Sequence, residues 1–192
     1  MKIGILALQG AFVEHMVALR QLAVEASPIR LPSELSDLDG LIIPGGESTS
    51  MLKLMQDFNL AQPLREMAQT GFPIWGTCAG MICLAKEIAN SNMETLAVMD
   101  MVVRRNAFGR QTDSFETELP VPVLGDSPFP AIFIRAPIIG SVDSQVEILA
   151  RLTNGTVVAA KQGNVIAAAF HPELSDDLRF HRYFLRIVGL ID

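Results

Sequence analysis

Five residues, Gly76-Thr77-Cys78-Ala79-Gly80, constrain this 192-residue chain more than any other stretch. They follow the apolar run Phe72-Pro73-Ile74-Trp75 and precede a helix-like run, Met81-Ile82-Cys83-Leu84-Ala85. A strand that turns abruptly into a helix around a nucleophile has this spelling, a small residue two positions either side of the reactive one. The glycines let the backbone turn sharply and approach other segments closely. The turn lifts the Cys78 side chain out of the sheet and places the Ala79 N–H to face a developing oxyanion. The helix N-terminus just beyond favours thiolate over thiol. A glycine-bracketed turn that merely holds a cysteine is the alternative, so the motif needs partners elsewhere in the chain.

Those partners come late. Residues 165–170 form an apolar strand candidate that runs into His171-Pro172-Glu173. Residues two apart at the end of a strand point to the same side. His171 can then take the proton of Cys78, and Glu173 can hold the imidazole in the right tautomer and stabilise its charged form. Pro172 fixes the backbone between them.

Composition narrows the class. With 49% hydrophobic residues, 1–192 suffices for one α/β domain with a full core. The net charge is −6 and no basic cluster appears, so nucleic-acid binding is not expected. The first apolar run meets Gln9 too early for a signal peptide, and no stretch reaches transmembrane length, so no membrane role is expected either. Cys78 and Cys83 do not make a disulfide framework, which implies a reduced, cytoplasmic setting. Cys83 reads as a buried small hydrophobe. Cys78, Cys83 and His171 lack familiar ligand spacing, so neither metal nor cofactor is expected.

Periodicity gives the fold class. Residues 2–8, 41–43 and 74–75 read as strands, and 11–24, 48–57 and 60–69 as helices. That alternation implies a mostly parallel central sheet with helices on both faces. The second half changes to short strand candidates at 98–104, 114–119, 131–135, 146–152, 156–162 and 165–170, an antiparallel extension. Asn154-Gly155 and Gly163-Asn164 are hairpin signals. Residues 176–189 close the chain as a helix.

Ligands in such sheets bind beyond the carboxyl ends of the strands. Three segments end there: Pro44-Gly45-Gly46-Glu47-Ser48, the Cys78 turn, and His171-Pro172-Glu173. The Gly46 N–H can join that of Ala79 in a two-donor oxyanion hole; a tight loop before a helix capped by Ser48 is the plainer reading. The set as a whole suits acyl transfer through a thioester. Arg105, Arg110 and Arg135 are candidates to pair with a substrate carboxylate or, equally, to form structural salt bridges. Residues alone leave open a cysteine peptidase or chaperone-like protein, and a non-catalytic regulatory subunit.

The Gly-Thr-Cys-Ala-Gly turn with His171-Pro172-Glu173 resembles the class I (triad) glutamine amidotransferases. Leu8-Gln9-Gly10-Ala11, Pro44-Gly45-Gly46-Glu47-Ser48-Thr49, Arg105-Asn106-Ala107-Phe108-Gly109-Arg110-Gln111, Asp113-Ser114-Phe115-Glu116, Phe133-Ile134-Arg135-Ala136-Pro137 and Ala159-Ala160-Lys161-Gln162-Gly163 are similar, within that class, to the glutaminase subunits of pyridoxal phosphate synthases. The resemblance covers nearly the whole chain. It implies hydrolysis of L-glutamine to glutamate and ammonia, with ammonia passed to a separate (β/α)8-barrel synthase subunit. It implies Cys78 as nucleophile, His171 as base and then acid, and Glu173 as its orienter. It further implies Ala79 and Gly46 as oxyanion donors, and Gly46, Glu47, Ser48, Arg105, Ile134 and Arg135 as glutamine contacts. His15, beside Glu14 on the first helix, and His181 on the last helix read as residues of solvated faces, outside the active site.

Overall fold

Strand and helix alternate through the first half of the chain. The order is β1 (Lys2–Leu6), α1 (Phe12–Gln21), β2 (Glu25–Ile29), β3 (Gly40–Ile43), α2 (Ser48–Asp57), α3 (Ala61–Gln69), β4 (Ile74–Thr77) and α4 (Ala79–Leu84). The second half holds β5 (Ala85–Ile88), β6 (Met99–Arg104), β7 (Ser114–Leu119), β8 (Phe129–Ile134), β9 (Ile138–Val142), β10 (Glu147–Arg151), β11 (Val157–Gln162), β12 (Val165–Ala168) and finally α5 (Arg179–Val188). The computed structural model describes residues 2–107 and 114–189. Phe108, Gly109, Arg110, Gln111 and Asp113 of the motifs above lie outside the described residues.

Ten strands form one sheet in the order β2-β1-β3-β4-β12-β11-β9-β6-β5, with β10 paired to β11 off this path. The β2, β1, β3, β4 and β12 run is parallel throughout. From β12 to β11 and on through β9 to β6 the pairing is antiparallel. β7 and β8 make a separate antiparallel pair. The central strands β3, β4 and β12 are buried at every position, as strands covered on both faces must be. Alternation along β4 shows the two faces. Trp75 packs against Phe180 and Phe184 of α5, whereas a Cβ on Gly76 would meet Gly80 and Leu84 of α4. Helices therefore cover both faces, as the alternation implied.

Three strands were not legible. β2 and β5 are the two end strands of the sheet order, and β9 contains Gly140. Helix α1 stops at Gln21 rather than running to Val24, because Ala23 turns left-handed at φ +58°. β8 ends at Ile134, so Arg135 is not a strand residue. β12 ends at Ala168, so His171 and Glu173 share no strand pleat. They lie instead on a 3-10 turn over Pro172–Leu174, with the His171 N–H bonded to the Ile132 carbonyl at 2.8 Å.

Candidate active site

Cys78 stands at the tip of β4 with φ +49° and ψ −105°. A non-glycine residue held there stores about 1–3 kcal/mol of strain, which persists only where neighbours over-determine it. The neighbours do so here. The Cys78 N–H bonds the Ala168 carbonyl at 2.7 Å, tying the turn to β12. Gly80 passes so close to β3 that a Cβ would collide with the Ile43 carbonyl. The motif glycines are thus explained by close packing, and the positive φ falls on the cysteine itself. Helix α4 beyond the turn is only six residues long.

His171 lies across from the thiol. A Cβ on Gly45 would strike the His171 ring and touch the Cys78 Cβ at 3.4 Å, so the Pro44-Gly45-Gly46 segment packs flat against both. His171 Nδ1 is 2.7 Å from Glu173 Oε1, and both side chains are buried. Burial opposes charge on the imidazole, but hydrogen bonds to Cys78 and Glu173 and their negative charge outweigh it, raising His171 to about 10. Glu173 is held below the usual carboxylate range: burial works against its charge, but the electrostatic influence of His15 and then the hydrogen bond and charge of His171 prevail.

Behind Glu173 the structure overturns one expectation. His15 and His181 are not on solvated faces; both are fully buried. His15 Nε2 is 3.3 Å from Glu173 Oε2 and 3.2 Å from Thr77 Oγ1, and its Nδ1 is 3.0 Å from His181 Nε2. The physical reason is helical periodicity. His15 shares the buried stripe of α1 with Ala18 and Leu19, and His181 shares that of α5 with Phe184 and Leu185. The acidic neighbour Glu14 was a poorer guide than that spacing.

A cavity of about 540 Å³ opens in front of Cys78. Its lining includes Cys78, Gly46, Glu47, Ser48, Ala79, Arg105, Ile134, Arg135 and His171; Glu173 sits behind the histidine, and the candidate Arg110 lies outside the described residues. Gly10, Asn106 and Pro137 also line it and were not assigned to the site from sequence. Gly10 had a readable signal: it follows a strand, its φ is +86°, and a Cβ there would collide with the Gly45 carbonyl. That carbonyl accepts the Ala11 N–H at 3.1 Å, which ties the Gly45–Gly46 peptide to the start of α1.

The cap of α2 is Glu47, not Ser48. Its carboxylate accepts the Thr49 N–H at 3.0 Å and the Ser50 N–H at 2.7 Å. Slight burial opposes its charge, yet these N–H groups hold the carboxyl down at about 2. Ser48 is buried instead. Arg105 reaches Thr49 Oγ1 at 3.2 Å, and Arg135 is exposed at φ +43°. Among the described residues, neither guanidinium pairs with a carboxylate. The Ile134 carbonyl approaches the Cys78 sulfur at 3.9 Å. Cys83 is fully buried, and burial pushes its thiol up to about 12, which suits an inert core residue. Among the described residues, no cluster of His, Cys, Asp or Glu is placed to hold a metal, and no helix is long and apolar enough to cross a membrane.

Known proteins are similar to this chain over nearly their full length. A curated relative from Dehalococcoides mccartyi, named pyridoxal 5'-phosphate synthase subunit PdxT, is 57% identical over 189 residues, 97% of each chain. A second of the same name, from Herpetosiphon aurantiacus, is 57% identical over 188 residues, 96% of this chain and 99% of its own. A crystal structure of a glutamine amidotransferase superposes with a TM-score of 0.92 at 46% identity, covering 97% of this chain and 98% of that one. The profile of the SNO glutamine amidotransferases matches residues 5–189. With that match and those relatives, the chain belongs to the SNO glutamine amidotransferase family.

Proposed function

We propose that this chain is the glutaminase subunit of a pyridoxal 5'-phosphate synthase, a single amidotransferase domain over residues 1–192 acting in the cytoplasm. Its reaction is hydrolysis of L-glutamine to L-glutamate and ammonia. The observation that carries the site assignment is the strained turn that sets Cys78 against His171, with Glu173 at 2.7 Å behind.

In this reading Cys78 attacks the side-chain amide carbon of glutamine as a thiolate, its proton held by His171. The tetrahedral oxyanion accepts N–H groups of Ala79 and Gly46. The C–N bond breaks, and ammonia leaves with the proton from His171. Water then gives a proton to His171 and attacks the thioester. The C–S bond breaks, glutamate is released and the thiolate returns. Arg105 and Arg135 line the cavity, and in this reading their guanidinium forks bind the α-carboxylate. Gly46, Glu47, Ser48 and Ile134 complete the pocket. Ammonia then passes to a (β/α)8-barrel synthase subunit that builds pyridoxal phosphate from a pentose phosphate and a triose phosphate.

The test is ammonia release from glutamine by the wild type and by Cys78→Ala, with and without the synthase subunit. Turnover is expected only in the wild type, and higher with the synthase. Undiminished turnover by Cys78→Ala would remove Cys78 as nucleophile. Turnover of peptides in place of free glutamine would replace the glutaminase reading with a peptidase.

A further inference from the structure

The triad reading leaves two buried histidines without a task. We infer that His15 is a positioning residue for the hydrolysis, steadying the Glu173 carboxylate from behind, while His181 fixes the tautomer of His15. The inference rests on the reading of Cys78, His171 and Glu173 as the reacting set.

The hydrogen-bond accounting leads to it. Glu173 Oε1 is taken by His171 Nδ1 at 2.7 Å. Glu173 Oε2 is buried and has no aligned hydrogen bond, and His15 Nε2 lies 3.3 Å from it. The Nε2–H of His15 is therefore shared, better aligned on Thr77 Oγ1 at 3.2 Å and electrostatically close to the carboxylate. A lone pair at Nε2 would instead face a carboxylate oxygen, which is repulsive in a low-dielectric interior. So Nε2 carries the proton and Nδ1 accepts. The atom facing Nδ1 at 3.0 Å is His181 Nε2, which must donate. That leaves His181 Nδ1 as a bare acceptor, and it is indeed the buried His181 atom with no partner.

The rings cannot rotate out of this order. Trp75 meets His15 edge-on at 5.5 Å and His181 edge-on at 5.0 Å, and stacks on Phe180 at 5.4 Å. Burial lowers both histidines below the ordinary imidazole value, while the Glu173 carboxylate pulls His15 back up and is itself favoured by His15 in return. The titratable groups around Glu173 are His171 on its own turn and His15 from α1. Around His15 they are His181 from α5, Glu173, His171 and Glu14.

The experiment compares His15→Leu, His15→Gln and His181→Phe, each with the synthase subunit present, in glutaminase kinetics across pH and in thermal unfolding. A donor that favours an ionised carboxylate is worth about one pH unit to that carboxylate. In His15→Leu the acid limb of kcat/KM should move up by about that much, with kcat down roughly tenfold and KM nearly unchanged. His15→Gln returns an N–H near the Nε2 position and should keep the acid limb at its wild-type place. His181→Phe touches nothing of Glu173, yet should move the limb upward by releasing the His15 tautomer. Should His15→Leu fail to fold, the Gln and Phe variants carry the same contrast. Equal losses in all three variants with an unmoved acid limb would reduce both histidines to packing and overturn the inference, as would wild-type kinetics in His15→Leu. Cys78→Ala run in parallel separates the two ideas: if it is inactive while His15→Leu behaves as wild type, the triad stands and only this inference falls.

Discussion

Cys78 and Arg135 are both non-glycine residues at positive φ, +49° and +43°, and both face the same cavity. Their surroundings differ. Cys78 is 7% exposed, roofed by Gly45 and tied by its N–H to β12, with no room for a Cβ at Gly80 below it. Arg135 follows β8 on an exposed rim, next to Ile134, itself 37% exposed. One wall of the cavity is clamped by the parallel core. The other hangs from the antiparallel part of the chain. The reacting atoms need fixed geometry, because sub-ångström errors erode catalysis. A guanidinium that grips a carboxylate tolerates more play. The two walls match those two demands.

Loss of chemistry should be the largest effect. Cys78→Ala should reduce glutaminase kcat by on the order of 10⁴-fold or more, and His171→Ala by nearly as much, since nucleophile and base act as one unit. A Cys78/His171 double variant whose loss equals the product of the single losses would contradict that unity. Within the same helical stretch, a glutamine-mimicking electrophile should label Cys78 and spare Cys83, which peptide mapping can read.

On the rim the expected change is in binding. Arg105→Ala and Arg135→Ala should raise KM for glutamine by roughly 10–100-fold while kcat stays within a few-fold. Arg135→Lys keeps the charge but loses the fork, so it should still weaken glutamine use. Unchanged saturation curves in both Ala variants would remove the rim from the substrate site.

Stability should show the same asymmetry on a smaller scale. Gly80→Ala forces a methyl into the Ile43 carbonyl and should cost about 1–3 kcal/mol, several degrees of Tm. Arg135→Ala should move Tm by far less. Equal shifts in the two variants would erase the contrast between clamped floor and loose rim.

A further difference concerns pH. The His171 value rises from 6.5 to about 10 on folding. Its protonated form therefore stabilises the fold fully below about pH 6.5, and that contribution is lost as pH rises toward 10. The Tm difference between wild type and His171→Asn should accordingly shrink as pH rises from 6.5 to 10. A difference that stays constant over that window would mean that His171 is not held protonated by Cys78 and Glu173.

How much of this was readable in the sequence depended on where each residue sits. The central strands announced themselves because β3, β4 and β12 are covered on both faces and so are nearly all apolar, Thr77 at the end of β4 excepted. The missed strands carry weak patterns. β2 contains Ser27 and Pro28, tolerated because an edge strand needs no ladder donor on its outer side. β5 exposes Lys86 and Glu87 on the opposite edge. The turn around Cys78 and the His171-Pro172-Glu173 run were legible because close packing and acid–base chemistry restrict residue type locally. His15 and His181 were legible only by spacing against Leu19 and Phe184, and the charge next to His15 pointed the wrong way. The left-handed turn at Arg135 had no local signal, since glycine would be the expected residue there.

One contact also bears on when, during its manufacture, such a chain can become competent. His15 and His181 meet across 166 residues of sequence, on the face of the sheet where Trp75 is sandwiched. A nascent chain presents Cys78 early and His171 late, but the ring that orders His15 arrives only with the last helix. Until α5 has docked, Trp75 and His15 lie open on one side. Until α5 has emerged, a growing polypeptide thus carries its cysteine without the arrangement that would arm it. Docking of α5, which brings together groups 166 residues apart, should also quench or shift the emission of the single tryptophan, so maturation and fluorescence should change together.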